Sequence, residues 1–269
     1  MKPAPSHLIG DLADEHQALD TMVSALESAA WRTPTPARGW DIADTISHLY
    51  FYDETARLAA ADPESFRRHA AELVAGRLGP DHDVQAGRSL EPAELLERWR
   101  QARAGLLSAL AEPAPSGRIP WYGPDMSPAS FTTARLMETW AHGLDVADAL
   151  GLPPVVSHRL RHVCHIGVGA RRYSFLVHGI DDPGDPIRVE VEAPDGSLWT
   201  WGEPGAADRV EGLALDLALV VTHRRHIGDT GLRIEGPVAR RWLSIAQSFA
   251  GPPGSGRSPG LRPLVQTVS

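Results

Sequence analysis

Leu136-Met137-Glu138-Thr139-Trp140-Ala141-His142-Gly143-Leu144-Asp145-Val146-Ala147-Asp148-Ala149-Leu150-Gly151 reads as one helix. Leu136, Trp140, Leu144 and Ala147 recur at helical spacing and form an apolar face, and Gly151 supplies a C-terminal stop. Glu138 and His142 are four apart, so their side chains share one face. A carboxylate and an imidazole presented together on an apolar helix are two metal ligands in need of a third, and His48 is the candidate. A Glu and a His at this spacing also recur by chance, and His48 alone reads equally as a hydrogen-bonded or surface histidine. The trio stands out because each member sits mid-helix among apolar residues, where a charged Glu138 needs a cationic partner.

Working back to the N-terminus, Leu8 to Ser28 carries apolar residues at three and four, with Asp11, Asp14 and Glu15 early in the helix. His16 lies in this helix and could line a pocket. Trp31 to Trp40 holds Pro34, Pro36 and Gly39 and reads as a loop clamped by tryptophans. Asp41 is a plausible N-cap, with Asp44 at N3, for a helix carrying Ile42, Ile46, His48, Leu49 and Tyr52. Asp53 and Glu54 next to it could orient a ligand, or be surface charge. Asp62-Pro63 ends that helix, and a more charged helical region covers 63–76. Residues 79–90 are polar and read as loop. Glu91-Pro92 starts a helix with an apolar stripe from Leu95 to Leu110. Residues 113–128 form a long loop whose Trp121 and Tyr122 could lid a pocket or pack in the core. Four principal helices in the first 150 residues are the pattern of a four-helix bundle, which builds metal sites from facing helices.

Gly151-Leu152-Pro153-Pro154 is a boundary. Beyond it, 156–177 reads as a helix, 187–192 alternates as a strand, and 197–201 is its hairpin partner across Pro194-Asp195-Gly196. A helix is expected over 210–223, a short strand over 232–235 and a last helix from Pro237 to Phe249. The division expected is a metal-binding bundle at 1–152, a small α+β domain at 153–250 and a flexible Gly/Pro/Ser-rich tail at 251–269.

Bulk properties exclude several classes. A chain of 269 residues with net charge −8 lacks the basic face that nucleic acid requires. It has no apolar run long enough to span a membrane, and Met1 to His7 is not a signal peptide. The single Cys164 allows no intrachain disulfide and reads as a buried thiol. A cytoplasmic protein, monomer or homodimer, acting on a small molecule is expected. Two imidazoles and a carboxylate suit zinc or another first-row divalent ion, with a coordination position left for water or substrate. His158, His162 and His165 look metal-like but lack nearby carboxylates and read better as helix-surface residues among arginines.

Thr33-Pro34-Thr35-Pro36, Gly39-Trp40-Asp41-Ile42-Ala43-Asp44 and His48-Leu49 resemble the loop and second helix of the mycothiol-dependent maleylpyruvate isomerase family, a group of DinB-like metal-binding bundles. The stretch from Arg135 to Gly151 is similar to that family's second metal motif. The resemblance covers roughly residues 8 to 155. It implies zinc held by His48, Glu138 and His142 in a bundle followed by a small α+β domain. It also implies mycothiol, or another low-molecular-weight thiol, activated as a thiolate toward a small electrophilic substrate bearing a carboxylate. Addition, rotation and elimination would make an isomerase; a retained adduct would make an S-transferase. Thr222-His223-Arg224-Arg225 stands where the family has a Thr-Gly-Arg segment whose arginine assists catalysis, so Arg224, with Arg225 beside it, is the expected carboxylate partner; a solvated helix C-terminus is the other reading. Here the glycine is replaced by His223, and Val220 to Asp229 and Val238 to Pro253 resemble an uncharacterised metal-binding subfamily of this superfamily, which leaves other chemistries open. These are a hydrolase, lyase or tailoring enzyme without thiol, or a metal-binding module without catalysis.

Overall fold

The structure, a computed structural model, describes residues 3–79, 81–254 and 256–260. The chain divides into two compact units, Met1–Leu152 and Pro153–Ser269.

The first unit is helical: α1 (Ser6–Ser24), α2 (Ile42–Ala61), α3 (Pro63–Val74), the short α4 (Gln85–Ser89), α5 (Pro92–Ala111) and α6 (Pro128–Leu150). Local chemistry sets the ends that matter for the site. At α2 the Asp41 carboxylate accepts from the Asp44 amide at 2.8 Å and the Asp44 carboxylate accepts from the Asp41 amide at 3.4 Å, a reciprocal capping box. At α6 Ser127 caps the first turn by accepting from the Ser130 amide at 3.1 Å, with Pro128 at the first helical position. Gly151 ends α6 at φ 66°, and Leu152 N–H closes back on Ala147 O at 2.8 Å. The core joins Leu19, Val23, Ile42, Ile46, Leu49, Leu95, Trp99 and Val146. The expected apolar face of α6 is inside: Leu136, Trp140, Leu144 and Ala147 are all buried. The polar segment 79–90 is more than a loop. Its α4 crosses α2 so closely that a Cβ on Gly87 would stand 2.4 Å from Ala43 O.

The second unit contains α7 (Leu160–Gly169), α8 (Arg171–Val177), β1 (Ile187–Glu192), β2 (Leu198–Trp201), β3 (Asp208–Leu213), α9 (Ala214–Val221), β4 (Arg233–Glu235) and α10 (Pro237–Leu243). The sheet order is β2-β1-β3-β4, with β1 and β3 parallel and both outer pairs antiparallel. Three sequence expectations are corrected here. The helix expected over 156–177 is two helices meeting at Ala170, next to Gly169, a poor helix former. The helix expected over 210–223 begins only at Ala214. Before it, Asp208 and Val210 point inward and Arg209 and Glu211 outward, and this segment pairs residue for residue with β1. The last helix stops at Leu243 rather than Phe249. There Gln247 N–H donates to Ser174 Oγ at 2.9 Å and Ser248 N–H to Val221 O at 3.0 Å, so tertiary bonds replace helical ones. The described residues of 251–254 and 256–260 carry no helix or strand. Gln247 Nε2 donates to Gly251 O at 3.3 Å and Gly260 N–H to Asp229 Oδ1 at 2.9 Å. The remainder of the expected tail, 261–269, lies outside the described residues. Among the described residues no helix is long and apolar enough to cross a membrane.

Candidate metal centre

His48 comes from the middle of α2, and Glu138 and His142 come from successive turns of α6. One ligand atom from each lies within 4.8 Å of the other two. Among the described residues this is the one group of His, Cys, Asp and Glu close enough to share an ion. Two ring nitrogens and a carboxylate oxygen converging in this way are a donor set that fits a divalent first-row ion.

Each histidine is oriented from behind. His48 Nδ1 lies 2.7 Å from Asp83 Oδ2. A carboxylate accepts, so Nδ1 carries the proton and Nε2 is left to ligate. His142 Nδ1 lies 3.4 Å from Asp145 Oδ2, with Nε2 facing Glu138 Oε2 at 3.5 Å. Asp83 is fixed in turn, because its own carbonyl accepts from Ser47 Oγ at 2.9 Å, one residue before His48. Neither Asp83 nor Asp145 is an expected site residue. Asp145 could have been read from its i+3 spacing to His142, whereas Asp83 has no spacing relation to anything. Aromatic rings wall the histidines: Trp40 lies 5.0 Å from His48 and stacks at 6.0 Å on His142, and Tyr52 lies 4.6 Å from His48.

The electrostatics favour ligating forms. Burial, then the charge of His142, drives the His48 pKa down to about 4, with Asp83 opposing. Burial alone would raise Glu138. The His142 hydrogen bond and the charges of His142, Arg135 and His48 outweigh it and hold the carboxyl at about 2. Tyr52 is pushed up to about 12, first by burial and then by the Asp83 and Glu138 charges, so its phenol stays protonated at neutral pH.

The other expected residues fall in several places. Asp53 is fully buried, accepting from Trp99 Nε1 at 3.0 Å and from Arg135 Nη2 at 2.9 Å. It acts at one remove: it holds Arg135, one turn before Glu138. Glu54 pairs with Arg57 at 2.9 Å at the surface. His16 is buried beneath, 3.6 Å from Asp53 and edge-on to Trp99. Trp121 stacks on Phe66 and abuts Phe131, while Tyr122 meets Tyr52 edge-on. Cys164 is buried and donates to Ala214 O at 3.3 Å. His165 Nδ1 accepts from Trp201 Nε1 at 3.2 Å, and the trio His158, His162 and His165 forms no common ligand group. Arg224 and Arg225 belong to the second unit, just past α9. Arg224 Nη1 donates to Thr222 O and Arg225 Nη1 to Arg224 O, each at 2.7 Å.

A helical bundle that brings a His–Glu–His cluster together between α2 and α6, followed by a small α+β unit, is the class that the fold and site define. Residues 12–147 match the family described as the mycothiol maleylpyruvate isomerase N-terminal domain. The chain belongs to this family. Two relatives from Mycobacterium tuberculosis, uncharacterized protein Rv0036c of strain H37Rv and uncharacterized protein MT0041 of strain CDC 1551, are each 43% identical over 254 residues. Those matches cover 94% of this chain and 99% of each relative. The fold is similar to the crystal structures of the mycothiol-dependent maleylpyruvate isomerase and of its His-to-Ala variant, with TM-scores of 0.52 and 0.54 at 16% and 14% identity. Each covers 87% of this chain and 95% of the isomerase chain.

Proposed function

We propose that this chain is a zinc-dependent enzyme that uses a low-molecular-weight thiol, mycothiol, for isomerisation or S-transfer on a small electrophilic substrate bearing a carboxylate. The observation that carries this reading is the convergence of His48, Glu138 and His142 within 4.8 Å. Family membership supports the thiol. When bound, a divalent ion with an open position lowers the pKa of a thiol or water and polarises a carbonyl.

The chain's own groups prepare the site. Asp83 holds the His48 imidazole in the tautomer that presents Nε2, and Asp145 lies 3.4 Å behind His142 Nδ1. Glu138 is ionised at neutral pH. The protonated Tyr52 hydroxyl, beside His48, is a hydrogen-bond donor to a bound substrate. Trp40 and Tyr52 exclude water from one side of the histidines. Arg224 and Arg225, in the second unit, carry guanidinium groups of the kind that pair a carboxylate, the role the family resemblance gives them.

Metal analysis of the purified chain tests the premise. Wild type is expected to hold a stoichiometric divalent ion, and His48→Ala, Glu138→Ala and His142→Ala to lose it. A metal-free wild type whose zinc uptake is unchanged by the three substitutions would end this reading. A thiol–electrophile assay with and without mycothiol then separates it from the thiol-free alternatives. Turnover that does not depend on thiol would assign a hydrolase, lyase or tailoring reaction to the same centre.

A further inference from the structure

Arg135 stands one turn before Glu138 on α6 and is 4% exposed. Its Nε, at 3.3 Å, and its Nη2, at 2.9 Å, both donate to Asp53 Oδ1. Asp53 is itself fixed by Trp99 Nε1, which donates to its other oxygen at 3.0 Å. The guanidinium is planar, so the edge made by Nε and Nη2 faces Asp53 and Nη1 lies on the opposite side. Nη1 has no partner among the described residues. The fork cannot turn without breaking a buried ion pair, which sets the direction of the free nitrogen.

Two phenols share this neighbourhood. Tyr52 and Tyr122 meet edge-on with ring centroids 6.0 Å apart, and the Tyr52 ring is 4.6 Å from His48. The Tyr122 ring is set by Phe66 at 5.3 Å and Trp121 at 4.9 Å. Its Oη is buried and forms no hydrogen bond among the described residues. The Thr55 hydroxyl, which acts on it, donates its own proton to Phe51 O. Tyr52 makes ring contacts and, among the described residues, no hydrogen bond. Burial is the largest influence on the pKa of Tyr52, Tyr122 and Glu138, and the Arg135 charge opposes it in each, so the guanidinium stands near both hydroxyls and the carboxylate. An unpaired buried hydroxyl lowers stability, and its presence beside two further free donors points to an acceptor that a ligand brings.

We propose that Arg135 Nη1 and the hydroxyls of Tyr52 and Tyr122 together receive the carbonyl oxygen of the substrate. All three are donors, and an oxygen with lone pairs is the acceptor they need. A carbonyl suits them better than a carboxylate, because Asp53 already matches the Arg135 charge and the ionised Glu138 stands one turn away. Donors fixed before the ligand arrives stabilise charge that develops on that oxygen. For the reaction alone this rests on the thiol reading above. When a thiolate adds to a carbon–carbon double bond conjugated with the carbonyl, the S–C bond forms and the π pair moves to the carbonyl oxygen; elimination returns it. Binding of the oxygen needs neither a thiol nor a metal at His48, Glu138 and His142.

Isotope-edited infrared spectroscopy of the full chain as purified tests this, with ethylideneacetone labelled at its carbonyl as the probe. The carbonyl band of the bound probe is expected below its position in water, since fixed donors polarise it more strongly than solvent does. Tyr122→Phe is expected to return the band part of the way and to weaken binding about two- to tenfold, the loss of one hydrogen bond. Its unfolding midpoint stays unchanged or rises, because an unpaired buried hydroxyl is removed. Tyr52→Phe moves the band in the same direction. Arg135→Lys keeps a charge beside Asp53 but loses the Nη1 donor, and a thermal melt verifies that it folds; the two tyrosine variants decide the matter if it does not. Crotonate, with a carboxylate in place of the ketone, is expected to bind more weakly than the probe. A band at its water position, a shift that survives both tyrosine substitutions, or tighter binding of crotonate overturns the proposal. So does a shift that His48→Ala abolishes, which assigns the oxygen to the metal. The two readings fail separately. A chain that holds no metal and uses no thiol still shifts the band through the tyrosines, and a metal-binding, thiol-using chain with no tyrosine-dependent shift ends this proposal alone.

Discussion

A metal-ligating imidazole is only as good as the group behind it. Asp83 approaches His48 Nδ1 to 2.7 Å, so Asp83→Asn replaces a charged acceptor with a neutral amide. Metal affinity, measured by chelator competition, is expected to fall about 10–100-fold with the three ligands intact. His16 makes a separate prediction. It is 1% exposed, and burial, the largest influence on it, drives its pKa from 6.5 down to about 4. The folded chain therefore protonates His16 only near pH 4, whereas the unfolded chain does so near 6.5. Between these values the unfolded state binds the extra proton, so the contribution is fully present above pH 6.5 and is lost as pH falls toward 4. Urea unfolding across this range is expected to show a loss of stability, of which His16→Leu removes a share on the order of 3 kcal/mol. An equal pH slope in wild type and variant would show that His16 is not the titrating group.

At the scale of elements, α4 and the segment before it work as a strap on α2. Arg88 Nε bonds Asp44 Oδ1 at 3.3 Å, Arg32 Nη1 bonds Gly87 O at 2.9 Å, and Ser47 bonds the Asp83 carbonyl. Gly87 allows the close crossing over Ala43. A methyl there meets backbone and not a flexible side chain, so Gly87→Ala is expected to cost about 1–3 kcal/mol of stability. Because the strap carries Asp83, metal affinity should fall with it. Chemical denaturation and metal titration of the same variant measure both, and a metal affinity unchanged despite lost stability would show that Asp83 is held independently of α4. The elements also show where sequence patterns fail. The boundary between β3 and α9 carries one turn signal, Gly212 at φ 148°, and the mostly apolar stretch from Leu213 to Val221 continues the helical reading backward over it. A six-residue strand with Asp208 facing inward, accepting from Ala239 N–H at 2.7 Å, does not alternate as apolar and polar residues should.

For the whole molecule, a metal held by the proposed ligands on α2 and α6 would be a cross-link within the first unit. A metal bound only by the folded form stabilises by RT ln(1 + [L]/Kd), about 4 kcal/mol at a thousandfold excess over Kd. Chelation is therefore expected to lower the unfolding midpoint of wild type and to leave that of His142→Ala where it is. With two compact units, the melt should be fitted without assuming a single two-state transition.

Taken by itself, the amino-acid sequence determined what is local: the helical phase that puts Glu138 and His142 on one face, the capping signal at Asp41, the stop at Gly151, and the fold class that follows from helix lengths and spacing. These are readable because helix periodicity and end chemistry act within about four residues. The carboxylate on His48 comes from 35 positions away in a polar segment with no periodicity, and no local rule connects the two. The pairing of β3 with β1, the left-handed turn at His223 and the early end of α10 were likewise decided by contacts distant in sequence. There the packing of one segment on another outweighs what each residue prefers alone.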